Sequence, residues 1–163
     1  MRLVIILSII LFSCSNNSRE EDGKEQQKEN NKDIVDKPTS ADIEGCYWQV
    51  LKRDTLVAWL VQKGDSISGK LSFDNFEKDG SSGFVRGSLD GDIIKLWYSF
   101  QSEGMNSVME VWYKKQGDAL LRGIGAPGVK ADTSYFTDHS EIQFDPRQRL
   151  QKVACSEIPA KYK

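Results

Sequence analysis

The sequence predicts an all-β domain, an antiparallel up-and-down barrel of about eight strands, carried behind a secretory leader and an unstructured tether. Three observations point there. From about Asp42 onward, short runs rich in Val, Ile, Leu, Trp, Tyr and Phe recur at intervals of about ten residues, separated by Gly, Asp, Asn and Ser. No stretch sustains a helical period, and only Arg147 to Ala154 is arguable. Ahead of Asp42 lie an apolar run too short to span a bilayer and then a polar segment with almost nothing to bury.

Residues 1–13 read as a signal peptide: one basic residue, Arg2, then a run of mostly branched apolar residues, then Ser13 ahead of Cys14. Leu11-Phe12-Ser13-Cys14 resembles the lipobox of bacterial lipoproteins. That resemblance implies that the Cys14 thiol is diacylated and that cleavage makes Cys14 the new N-terminus. Acyl chains bury about 0.8 kcal/mol per methylene, so the mature protein is expected to be anchored to a membrane and not to span it. An ordinary signal peptide cut near Ser13 is the alternative.

Residues 14–41 form the lipidated N-terminus and linker. Asn, Gln, Glu and Lys dominate, and Ile34 and Val35 are the only branched apolar residues, so burial cannot offset the entropy of ordering. A flexible coil of this length reaches about 30 Å on average. Ser18-Arg19-Glu20-Glu21-Asp22 resembles the acidic signal of Bacteroidota lipoproteins, which implies the outer membrane and its outer face. A merely solvated linker is the alternative.

Residues 42–163 form the barrel domain. Strands are expected near 46–52, 56–62, 66–73, 84–89, 93–101, 107–114, 119–125 and 140–144, with a last segment at 150–155. Ile67, Gly69, Leu71 and Phe73 share one face, and Ile94, Leu96, Tyr98 and Phe100 share another. Such alternation gives each strand one buried and one wet face. The links Lys63-Gly64-Asp65, Asp90-Gly91-Asp92 and Lys115-Gln116-Gly117-Asp118 are hairpin turns in which Gly supplies positive φ. The link at Arg53-Asp54 is also tight, whereas those at 74–83, 102–106 and 126–138 are longer. Alternate links of an up-and-down barrel share an end, so one end is closed by turns and the other is a mouth fringed by loops.

Such a barrel is similar to the lipocalins and avidins, which admit small ligands at the loop-bearing end. Gly45-Cys46-Tyr47-Trp48 resembles the opening G-x-W of the lipocalins with one residue too many. The stretch from Gly45 to Cys155 more closely resembles small Bacteroidota lipoproteins of unknown function with a calycin-like barrel. Phe76-Glu77-Lys78-Asp79, Phe100-Gln101-Ser102-Glu103-Gly104-Met105 with Ser107-Val108, and the terminal cysteine pair carry that resemblance.

There are three cysteines. With Cys14 lipidated, Cys46 and Cys155 remain as a pair able to form a disulfide in an oxidising envelope. Closing a loop of about 110 residues contributes about 4–5 kcal/mol on the chain-entropy model. Two free thiols are the alternative. His139, the only histidine, has no ligand spacing to either cysteine, so neither a metal nor another cofactor is expected.

Asn75, Glu77, Lys78, Asp79, Ser102 and Glu103 fall in two links on the expected mouth and are the candidate ligand-binding residues. The alternative is that Glu77 and Asp79 cap backbone amides and Lys78 pairs with one of them. Trp97 and Trp112 would face each other on the outer wall if paired positions sum to 209; they would stabilise the sheet or present a patch to a partner. That register also sets Lys95 against Lys114, which counts against it. The net charge is −2 with both signs interspersed, so nucleic acid is not an expected partner. No nucleophile elbow, phosphate loop or histidine cluster is present, and His139 reads as a surface residue. The expectation is therefore a monomeric, non-enzymatic outer-membrane lipoprotein that binds a small or polar ligand at the barrel mouth. A protein-interaction module, such as an inhibitor of an external hydrolase, is the alternative.

Overall fold

The computed structural model describes residues 41–76, 79–102 and 104–162. Among them are ten strands: β1 (Gly45–Leu51), β2 (Asp54–Lys63), β3 (Ser66–Asp74), β4 (Ser81–Asp90), β5 (Ile93–Ser102), β6 (Met105–Gln116), β7 (Ala119–Ile124), β8 (Pro127–Lys130), β9 (Thr133–Phe136) and β10 (Gln143–Val153). β1 to β7 pair antiparallel in chain order, β7 pairs with β10, and β10 returns to β1. The result is a closed, eight-stranded up-and-down barrel, with β8 and β9 added outside the ring. Closure leaves no edge strand in the ring to pair with another chain.

The closed end forms as its turn residues dictate. Gly64, Gly91 and Gly117 adopt φ of 61°, 62° and 57° in two-residue hairpins, a conformation that an L side chain rarely takes. Inward-facing residues fill the barrel above these turns, and the core includes Tyr47, Leu71, Ile94, Leu96, Tyr98, Tyr113, Leu120 and Leu150, each almost wholly buried. Ile43, just ahead of β1, is also fully buried, and its carbonyl accepts the Tyr47 hydroxyl at 3.1 Å. Burial pushes the Tyr47 and Tyr113 hydroxyls up to about 12. Gly87 admits close backbone approach, because a Cβ there would strike the Lys95 carbonyl across the ladder.

Several expectations about the other end change. β4 begins at Ser81, not Phe84, because β3 carries the ladder on to Phe73 opposite Ser81 and pairs with a Ser- and Gly-rich stretch of low strand propensity. Residues 140–144 and 150–155 are not two strands. β10 runs through both with a register shift between Asp145 and Arg149, where Pro146 has no N–H to give the ladder. The arguable helix at 147–154 is absent for the same reason: those residues are mostly β10.

The expected long loop at 126–138 contains the β8–β9 hairpin, turned at Ala131-Asp132 with Ala131 at φ 55°. β7 pairs with β6 only from Tyr113 to Gln116, and β9 takes the edge left free further along β6, lying parallel to it at Val108 and Met109. The β5–β6 link is also shorter than expected, since Ser102 pairs directly with Met105. Positions therefore sum to 207, not 209. Lys95 lies opposite Trp112 and Trp97 opposite Glu110, and this register avoids the Lys95–Lys114 repulsion.

Cys46 and Cys155 are joined by a disulfide that spans 109 residues, at a Cα–Cα distance of 5.2 Å. Cys155 opens a short 3-10 turn to Glu157, and the tail then crosses the outer face of β1 and β2. Ile158 and Tyr162 bury themselves there with Cys46 and Val57, against Trp48 and Trp59. The Tyr162 hydroxyl donates to Asp74 Oδ2 at 2.6 Å and Lys161 Nζ reaches the same oxygen at 2.8 Å, which fastens the tail to the end of β3.

Candidate functional site

The mouth of the barrel is built around Arg122. Leu120 faces the core, so strict alternation along β7 turns Arg122 to the same inner side one pair further out, where the barrel opens. Its ladder neighbour is Tyr113, and its guanidinium lies 5.2 Å from the Phe73 ring, within cation–π range. Two clefts meet at Arg122 and Gln148. One, of about 300 Å³, runs between β6, β7 and β9 and is lined also by Met109, Tyr135 and Phe136. The other, of about 190 Å³, reaches Gln49, Thr55, Phe73 and Asn75. Below them, Tyr98 and Phe100 stack at 4.6 Å and Phe73 tilts onto Tyr98 at 5.4 Å, which floors the mouth with aromatic rings. Among the described residues the barrel is packed in its depth, and the two clefts lie at its mouth.

Arg122 has no carboxylate partner among the described residues. Asp145 stands opposite it in the β7–β10 ladder, but the Asp145 carboxylate is occupied by Arg147, with Nε and Nη2 at 3.0 and 2.9 Å and the Arg147 backbone N–H at 2.9 Å. These bonds hold the Asp145 carboxyl below the usual carboxylate range. A half-buried guanidinium of fixed charge is thus left facing the clefts. Its planar fork suits a carboxylate or phosphate.

The expected site residues divide. Asn75 lines the second cleft. Asp79 is exposed in the link ahead of β4, and Ser102 ends β5. Glu77, Lys78, Glu103 and Cys14 lie outside the described residues. Beside Asn75, Phe76 donates its N–H to Asp54 at 2.9 Å, and Arg53 stacks over its ring. Among the described residues, no group of three His, Cys, Asp or Glu side chains is arranged to hold a metal ion.

Trp97 and Trp112 share the outer wall but do not face one another. Trp97 is exposed, whereas Trp112 donates Nε1–H to Glu110 at 2.8 Å and stacks on His139 with ring centroids 4.8 Å apart. Glu110 is the one described acid in the buried class, although it points outward from the barrel, because the β8–β9 hairpin and the chain that follows cover it. It accepts the Phe136 N–H at 2.8 Å and meets His139 Nε2 at 2.8 Å as well. His139 is at the surface as expected, with its side chain 54% exposed, yet it is an engaged partner and not a free one. With three donors on its carboxylate, Glu110 acts as a clasp for the hairpin, and it also lines the first cleft.

Sequence reasoning passed over Arg122 and Glu110, and both carried a signal. Arg122 is a cation on the same face as Leu120, and Glu110 lies between Met109 and Val111 in a strand of apolar and aromatic residues. A charge in a phase that otherwise faces inward, or within an otherwise apolar run, marks a position whose surroundings need explaining.

Fold and site together define a closed eight-stranded β-barrel with an arginine at its mouth that has no ion-pair partner among the described residues. Comparison with models of protein families, with curated proteins and with solved structures finds no match to the chain.

Proposed function

We propose that this chain is a lipid-anchored protein of the outer membrane whose barrel mouth binds a small anionic or polar ligand. The observation that carries the reading is Arg122: an inward-facing guanidinium at the junction of two clefts, with no ion-pair partner among the described residues. A ligand carboxylate or phosphate would make charge-assisted bonds there, while Gln148 and Asn75 offer neutral amides and Phe73, Met109 and Phe136 offer apolar contact. The depth of the barrel is filled, so the ligand is one that sits in the mouth and does not thread the core. The leader and Cys14 support the anchored location through their likeness to a lipobox.

The test uses the full chain in detergent micelles and a panel of probes: inorganic phosphate, benzoate and glucose. Saturation at a hundredfold excess over Kd stabilises the bound fold by about 2.7 kcal/mol, a rise of several degrees in Tm. At least one anionic probe is expected to raise the wild-type Tm and to leave that of Arg122→Met unchanged. Equal shifts in both proteins, or no shift with any probe, would overturn the assignment of the site.

A further inference from the structure

The outer wall of β3, β4 and β5 carries a second feature, remote in character from the mouth. Phe84 is 70% exposed and Trp97 is 46% exposed, although aromatic rings of this size are ordinarily buried. They are diagonal neighbours on one face, since Phe84 pairs with Ser99, two residues from Trp97; such neighbours lie about 7–8 Å apart. Lys70 pairs with Phe84, and Arg86 pairs with Trp97. Around them the wall is serine: Ser68, Ser82, Ser88 and Ser99 all point outward and are exposed. The short serine side chains leave the two rings exposed.

The charge on this wall is unbalanced. Lys95 is tied to Asp90 at 2.8 Å and Lys114 to Asp92 at 3.4 Å, but neither Lys70 nor Arg86 joins an ion pair among the described residues. The acid nearest in register, Glu110 opposite Trp97, is covered and held by three donors.

We propose that this wall binds an acidic polysaccharide. Phe84 and Trp97 stack on the C–H faces of its sugar rings, Lys70 and Arg86 pair with its carboxylates, and the serine hydroxyls exchange hydrogen bonds with its hydroxyl groups. Charge complementarity selects an anionic partner. A partner protein would require a contiguous apolar centre that excludes water, whereas here the two exposed rings are each flanked by a cation, Lys70 or Arg86, and by serine hydroxyls, the surface chemistry of an acidic sugar chain.

The test is affinity electrophoresis of the full chain in detergent micelles through gels containing polygalacturonate or alginate, with dextran and poly-L-glutamate gels as comparisons. At low salt, wild type is expected to be retarded by at least one polyuronate and not by dextran. Trp97→Ala and the pair Lys70→Ala with Arg86→Ala are each expected to weaken retardation about tenfold, with Trp97→Phe retaining most of it. Arg122→Met should bind as wild type does, which separates this wall from the mouth. Retention by neither polyuronate overturns the proposal, as does dextran retention equal to theirs. Poly-L-glutamate retention equal to that of the polyuronates also overturns it, and points to an acidic peptide segment. Lys70, Arg86 and Trp97 point outward from the barrel, and unchanged circular dichroism confirms that all the variants are folded.

Discussion

Glu110 shows how a single residue can be placed by what covers it. On an open barrel wall it would be one more solvated acid, of little consequence for stability. Beneath the β8–β9 hairpin its carboxylate receives the Trp112 indole N–H, the Phe136 amide and His139, each at 2.8 Å. Removing one member of a buried charged network leaves the others without partners, at a cost of about 3 kcal/mol. Glu110→Ala is therefore expected to lower unfolding stability in urea by about 3 kcal/mol, and Glu110→Gln, which keeps one acceptor, by roughly half as much. Wild-type stability in Glu110→Ala would show that the carboxylate does not hold the hairpin. Arg122 is the opposite case, a charge whose neighbours leave it unpaired, so its substitution is expected to affect binding before stability.

Elements were legible where local chemistry alone decides them. Seven strands and all three glycine turns of the closed end follow from alternation and from the need for positive φ. The β8–β9 hairpin was not legible. Its strands are four residues each, one begins with Pro127, and they earn their place by filling an edge of β6 that exists only because β7 stops pairing. Pro146 lies between the two segments expected at 140–144 and 150–155, and a register shift there lets one strand, β10, run through both.

The C-terminal tail is held in a comparable way, by tertiary contact in place of regular pairing. Its hydrogen bonds from Lys161 and Tyr162 hold the Asp74 carboxyl below its usual range. Because the folded value lies below the unfolded value of about 4, the stabilisation is present above that pH and is lost as pH falls through the lowered value. Asp74→Asn is expected to be less stable than wild type at neutral pH and to converge with it in acid. The two Tm-against-pH curves test this, and parallel curves would remove Asp74 as the tail's fastening. The effect is small, since the side chain is about half exposed and solvent screens the pair.

Across the whole molecule, the three cysteines divide the labour. Cys46 and Cys155 bring the first strand and the tail together, which fits the expectation from cysteine arithmetic. Cys14 belongs to the proposed anchor, and its test is one of location. Cys14→Ser is expected to move the protein from the membrane pellet to the soluble fraction on cell fractionation; retention in the pellet would count against lipidation. Intact wild-type cells treated with protease would lose the protein if the tether carries it to the outer face.

Composition, alternation and turn residues were enough to specify an all-β chain and its closed end, because a period of two and a glycine at positive φ are local demands. Tertiary structure decided the rest. The β5–β6 register depended on the length of one turn, and it set Trp97 opposite Glu110 and not opposite Trp112. The exposure of Trp97 and Phe84, the isolation of Arg122 and the covering of Glu110 each depend on residues distant in the chain. Burial and charge pairing are properties of neighbourhoods, and only closure of the barrel creates those neighbourhoods.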